Sequence, residues 1–300
     1  MTILVTGGAG YIGSHMVHEL VDAGEPVVVL DNLSTGFRFL VPGKVPFVAG
    51  STGDRELVEQ TIVRHGVTAI IHFAASIVVP DSVRDPLGYY RNNTMNTCAL
   101  LDVAIKARVQ QFIFSSTAAV YGNAEHVPVR EDAATAPISP YGSSKLMSEI
   151  MLHDAGAAHG LRFVILRYFN VAGADPKLRT GQSSPAATHL IKVACEAALG
   201  KRPKIDVFGT DYPTPDGTCI RDYIHVSDLA RAHSAALAYL RRDGASATFN
   251  CGYGHGASVF QVIDAVRRAA RRSRPENRGQ PRAAPPRSPG TPKSRDRSHS

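Results

Sequence analysis

Apolar residues follow two rhythms along the first 170 positions, and the rhythms alternate. Short runs such as Val27-Val28-Val29-Leu30 are apolar at every position. That is the pattern of strands buried on both faces of a parallel sheet. Runs of this kind predict strands at 2–6, 27–30, 45–49, 69–72, 111–115 and 162–166. Between them the apolar positions recur every three to four residues and predict helices at 11–23, 54–65, 89–107 and 141–158. Strand and helix in strict alternation give stacked βαβ units, hence an α/β fold with a doubly wound parallel sheet.

The rhythm breaks from 171 to 223, where Gly, Pro and Thr punctuate the chain and only 188–199 looks helical. We read this stretch as a substrate-binding insertion. Regularity returns with a helix at 227–241, with Ser227 as its N-cap before Asp228, a short strand at 248–250 and a helix at 258–271. The expected organisation is a sheet domain at 1–170 with a return segment near 227–250. A smaller α/β domain is expected from 171–226 and 251–272, followed by a tail at 273–300. The tail holds six of the nineteen prolines and no Val, Leu, Ile, Phe or Tyr. It cannot bury enough apolar surface to offset its ordering entropy and is expected to be disordered.

Charge changes this picture little. The chain carries a formal +7, but residues 273–300 hold seven Lys and Arg against two acids, or +5, so the other 272 residues carry only +2. A nearly neutral body does not support nucleic-acid binding, and a basic tail of this kind usually only solvates. No apolar run reaches the eighteen or so residues of a membrane span. The N-terminus lacks the charged and apolar regions of a signal peptide. Cys98, Cys195, Cys219 and Cys251 have no metal-type or redox-type spacing, so reduced structural thiols in a cytoplasmic protein are expected, with no metal.

The chemistry begins with Gly7, Gly10 and Gly13, which follow the first strand and open the first helix. Glycines there permit a tight turn and let the backbone approach a pyrophosphate at a helix N-terminus, the signature of a Rossmann-like dinucleotide site. Asp31 ends the second strand, eighteen residues after Gly13. An acid at that point accepts from the ribose hydroxyls and repels a 2′-phosphate, so NAD is favoured over NADP. Tyr141 and Lys145 lie four residues apart and share one face if the segment is helical. A nearby ammonium draws a phenol toward neutrality, which suits it to take a proton from an alcohol. Thr117, just past the fifth predicted strand, offers a hydroxyl at the edge where open α/β sheets bind ligands.

Taken together, the glycine loop, Thr117, Tyr141 and Lys145 resemble the extended short-chain dehydrogenase/reductase superfamily. Longer stretches resemble its UDP-glucose (UDP-galactose) 4-epimerase family in particular. They include Phe112-Ile113-Phe114-Ser115-Ser116-Thr117, Leu166-Arg167-Tyr168-Phe169-Asn170, and the run from Asp211 through Arg221-Asp222-Tyr223-Ile224-His225-Val226. The resemblance covers about residues 1–272. It implies that Tyr141 takes the proton of the sugar 4-hydroxyl while a hydride leaves C4 for a tightly bound NAD. Lys145 would lower the tyrosine pKa and hold the nicotinamide ribose, and Thr117 would bond the reacting oxygen. Tyr11 and Ile12 would touch the pyrophosphate, with Asn32 beside Asp31. Phe73, Ala74, Ala75 and Asn92 would line the cofactor channel, and Phe169 would pack by the nicotinamide. Asn170, His189, Phe208 and Arg221 would hold the UDP-sugar, and the helices around 89–107 and 141–158 would form a homodimer.

Departures from the family are local at Ser51, Ile77 and His189, where Asp, Lys and Asn are common. A larger one is the lack of an Arg-Arg-x-Gly-Asp type segment after residue 272, which leaves the smaller domain incomplete and suggests a frameshift. Without that Arg, NAD is expected to bind while UDP-sugar affinity falls roughly ten- to more than a hundredfold. The resemblance leaves three rival readings. A 4,6-dehydratase would carry an Asp-Glu pair where Ala118-Ala119 stands. An epimerase of UDP-glucuronate or of a UDP-N-acetylhexosamine differs in residues that gauge sugar size. An inactive NAD-binding protein would retain only the first half of the site.

Overall fold

The structure is a computed structural model that describes residues 1–184 and 188–273. Seven parallel strands form its main sheet, in the order β3-β2-β1-β4-β5-β6-β9. They are β1 (Thr2–Thr6), β2 (Val27–Asp31), β3 (Phe47–Ala49), β4 (Val67–His72), β5 (Gln111–Thr117), β6 (Arg162–Tyr168) and β9 (Ala247–Cys251). Successive residues of β1 serve opposite faces. Ile3 and Val5 pack with Val29, Ile71 and Ile113 under helices α1 (Tyr11–Asp22) and α8 (Val226–Arg241). Leu4 packs with Val28, Ile70, Phe112 and Phe114 under α2 (Arg55–His65), α5 (Asn96–Lys106) and α6 (Pro140–His159). Two-sided burial is why these strands are continuously apolar.

The chain runs outward from β1 through β2 to β3, then returns to β4 on the other side of β1. The reversal opens a crevice at the carboxyl ends of β1 and β4, where sheets of this kind hold ligands. Asp31, His72 and Thr117 are the last residues of β2, β4 and β5, so strand geometry delivers all three to that edge. Thr117 is thus inside β5, which runs two residues beyond the predicted 111–115: its backbone still pairs with Tyr168 of β6.

A second sheet of order β10-β8-β7 joins β7 (Asn170–Ala172), β8 (Ile220–His225) and β10 (Gly256–Ser258). Hydropathy missed these strands because two have only three residues, and the third has a single buried residue. Helix α7 (Leu190–Ala198) and helix α9 (Val259–Ser273) pack on each other beside them. The expected helix at 89–107 is continuous but changes its winding. Helix α3 (Val79–Arg84) and helix α4 (Pro86–Tyr89) precede a π-helical turn at Tyr90–Met95, and α5 follows. Ser227 is not an N-cap: α8 starts one residue earlier, and the His225 ring accepts from the Ser227 amide at 3.2 Å. The tail beyond Ser273 lies outside the described residues.

Candidate active site

The glycine loop closes on backbone, not on side chains. Gly7 has φ +70, a left-handed conformation that disfavours a side chain, and a Cβ there would meet the Ala74 amide nitrogen at 2.6 Å. A Cβ on Gly13 would meet the Gly7 carbonyl oxygen at 2.1 Å. The turn between β1 and α1 therefore sits directly against the segment after β4 that holds Phe73, Ala74 and Ala75. The Phe73 amide donates to the Thr6 carbonyl at 3.0 Å, and the Phe73 ring lies 4.7 Å from that of His233. Gly10 caps α1 in an extended conformation, and α1 has no acid in its first turn. Bare amides at that end suit a diphosphate.

Asp31 is buried and fixed by two amides, Ala9 at 2.9 Å and Leu33 at 2.8 Å, one on each carboxylate oxygen. Each oxygen keeps a lone pair for a ribose hydroxyl. Asn32, exposed beside it, accepts from the Ser34 amide at 3.0 Å. Tyr11 donates its hydroxyl to the Gly173 carbonyl at 2.7 Å, which pins the start of α1 to the second half of the chain. Ile12 packs into the core below it. These features fit the adenosine and pyrophosphate parts of NAD: a cradle that any Cβ would fill, a helix N-terminus and an aimed acid.

Helix α6 brings the reactive groups together. Ser139 caps it, accepting from the Gly142 amide at 3.2 Å, and Pro140 fits its first turn. Tyr141 and Lys145 are 8% and 3% exposed. The Tyr141 phenol stands by the Thr117 hydroxyl at the end of β5, which favours its ionised form. Lys145 Nζ donates to the Ser115 carbonyl at 2.9 Å and stands 4.8 Å above the Phe114 ring. In the protein alone, burial pushes the phenol up to about 12, and the influence of Thr117 offsets only part of that rise. Burial brings the Lys145 ammonium down to about 8, with Glu149 acting in the opposite direction.

Polar groups that sequence reasoning passed over support this centre. Buried Asn93 in the π-turn accepts from the Ser76 amide at 2.8 Å and donates to the Ser76 carbonyl at 2.9 Å and the Ser144 hydroxyl at 3.0 Å. It thus clamps the loop after β4 to α6. Its neighbour Asn92 donates to the Ser76 hydroxyl at 2.9 Å. His72 bridges Thr6 and Thr97, and burial holds it down to about 3. Glu149 of α6 pairs with Arg167 of β6 at 2.6 Å, fully within the protein. The signal for Glu149 was present: Tyr141, Lys145 and Glu149 repeat every four residues and so share one helical stripe.

The residues expected to hold a sugar nucleotide are placed differently. Asn170 donates to the Asp222 carbonyl at 3.1 Å. Phe208 is 84% exposed. Arg221 donates to the Ile220 carbonyl at 3.0 Å, and Asp222 binds the Tyr253 and Gly254 amides, not Arg221. His189 is exposed beside Gln182, 2.7 Å away. Phe169 lies beside Gly252, where a Cβ would meet its ring at 3.0 Å. Among the described residues, no group of three or more His, Cys, Asp and Glu could hold a metal ion.

Comparison with known proteins agrees with this geometry. The model of the NAD dependent epimerase/dehydratase family matches residues 3–252. A UDP-glucose 4-epimerase of Azospirillum brasilense is 64% identical over 261 residues, which cover 87% of this chain and 75% of that protein. The crystal structure of UDP-glucose 4-epimerase from Brucella ovis in complex with NAD is 46% identical, with a TM-score of 0.87 over 89% of this chain and 82% of that one. The enzyme from Bifidobacterium longum, solved with NAD+ and UDP, is 37% identical, with a TM-score of 0.85 over 90% and 83%. The chain belongs to the NAD dependent epimerase/dehydratase family.

Proposed function

We infer that this chain interconverts UDP-glucose and UDP-galactose by transient oxidation at the sugar C4, using bound NAD. The observation that carries the reading is the Tyr141–Thr117 pair at the carboxyl end of β5, beside the glycine cradle of the switch point. Relatives of this similarity are named as UDP-glucose 4-epimerases. When bound, NAD would supply the hydride acceptor.

The protein's own residues then have definite tasks. Tyr141 takes the proton of the 4-hydroxyl at its phenolic oxygen and later returns it to the 4-keto oxygen. Thr117 bonds the same oxygen and orients it. Lys145 holds the nicotinamide ribose, and its positive charge favours the phenolate. Gly7, Gly10, Tyr11, Ile12 and Gly13 receive the pyrophosphate; Asp31 and Asn32 receive the adenosine ribose. Phe73, Ala74, Ala75 and Asn92 line the channel, and Phe169 packs by the nicotinamide. Asn170, His189, Phe208 and Arg221 receive the UDP-sugar, where the planar guanidinium of Arg221 suits a diphosphate.

On this reading residues 1–170 and 227–250 form the NAD domain, and 171–226 with 251–272 form the substrate domain. The protein works in the cytoplasm as a homodimer through α5 and α6, which is supported by exposed Met147 and Ile150 on α6 and Met95 beside α5. The test is to incubate the purified 300-residue chain with UDP-galactose, with and without added NAD, and follow UDP-glucose. Conversion supports the reading; none in either condition sinks it.

A further inference from the structure

Beneath the reactive pair lies a buried set of charges to which the reaction assigns no task. Glu149 is 2% exposed. It accepts from Arg167 through Nη2 at 2.6 Å and through Nε at 3.1 and 3.2 Å, and from the Ser116 hydroxyl. Arg167 in turn donates to the Tyr121 hydroxyl at 2.9 Å and lies 4.9 Å over its ring. On the same face of α6, one turn before Glu149, Lys145 grips the Ser115 carbonyl. Lys145 and Glu149 therefore hold successive residues of β5, and the next residue along is Thr117. Arg167 occupies the matching place on β6, just before Tyr168 and Phe169.

We infer that Glu149 is a positioning residue for Lys145, serving as its buried counter-charge and as the anchor that seats α6 on the ends of β5 and β6. The inference rests on the task assigned to Lys145 above. The groups facing this cluster leave few other candidates. On β4, His72 is uncharged in the fold, because burial and then Lys145 itself keep its proton off. On α6, Tyr141 is a neutral phenol, and on β6 Arg167 adds positive charge. Tyr121, at the end of the turn after β5, meets Arg167 through its hydroxyl. Glu149 is the group that acts to favour the ammonium of Lys145, against its burial. A carboxylate placed only to neutralise Arg167 would matter for stability and leave Lys145 alone.

The two roles separate in the titration of Lys145, read by NMR on the full 300-residue chain labelled with carbon-13 at lysine Cε. The Lys145 signal is assigned by its loss in Lys145→Arg. The wild-type midpoint is expected near about 8. In Glu149→Gln it is expected to fall by about half a pH unit or more. The alkaline limb of the kcat profile should move to lower pH with it, since the ammonium is lost earlier. An unchanged lysine midpoint in folded Glu149→Gln overturns the inference. Should that variant not fold, the double variant Glu149→Gln with Arg167→Met is compared with Arg167→Met alone, and an equal lysine midpoint in the two overturns the inference. The titration needs neither substrate nor turnover. A chain without epimerase activity, which sinks the function proposed above, therefore still shows whether Glu149 acts on Lys145.

Discussion

The two sides of the crevice are built on different terms. On the side of the seven-stranded sheet, Asp31, Thr117, Tyr141 and Lys145 are all buried, and Asp31, Thr117 and Lys145 are each held by a hydrogen bond. On the side of the small sheet, Phe208 and Arg221 stand in solvent, and Arg221 reaches only its neighbour's carbonyl. Burial fixes geometry in advance and makes each electrostatic contact stronger. Exposure leaves side chains free to be ordered by whatever arrives, at an entropic cost met on binding. The chemistry is thus preorganised, while the grip on the nucleotide forms with the ligand.

The contrast can be broken or sharpened by substitution. The largest effect is expected at Tyr141: Tyr141→Phe should lower kcat by about 10²–10⁴-fold, the usual weight of a positioned acid–base group, with NAD still copurifying. Turnover close to that of the wild type would show that the buried side does not supply the base. Next comes acid sensitivity. His72 and His233 are held down to about 3 and about 4 by burial, against about 6.5 in an unfolded chain. Because their folded values are depressed, the stability they confer is complete above about pH 6.5. It drains away as the pH falls toward 4, by on the order of a few kcal/mol in all. Urea midpoints measured at pH 7.5, 6 and 5 should decline in that order, and His233→Asn should flatten the decline.

On the exposed side, Arg221→Ala should raise KM for the UDP-sugar roughly ten- to a hundredfold. NAD content and melting temperature should stay put. A large fall in melting temperature would mean that Arg221 is already part of a preformed wall, and the contrast would dissolve. The smallest effect concerns the seating of α6. Ser139→Ala removes its cap and should cost about 1 kcal/mol of stability in chemical denaturation. It should touch kcat less than Tyr141→Phe does.

Legibility followed the same division. The main strands could be read because burial on both faces writes a continuous apolar run, as in β2, and the glycine loop could be read because backbone contact at Gly7 and Gly13 excludes any side chain. The π-turn at Tyr90–Met95 could not, since its polar Asn92 and Asn93 look like an ordinary exposed face until Ser76 and Ser144 are seen opposite. Strands β7 and β8 pair with each other across some fifty residues, Asn170 with Tyr223, and no local pattern records such a partner. Arg167 lies in an apolar strand and Glu149 on a helix rich in polar residues. Only the fold reveals that they meet.

The place of β9 carries a consequence for how the molecule is made. Val164 of β6 pairs with Ala247, more than eighty residues later in the chain. During synthesis at roughly 5–20 residues per second, β6 waits about 4–17 s with an open, apolar edge. Asn250, delivered by the same strand, accepts from the Tyr121 hydroxyl at 2.8 Å and so completes the surroundings of Arg167 and Glu149. The charged floor of the active site is among the last parts to close, and the growing chain must carry it unfinished past the ribosome exit.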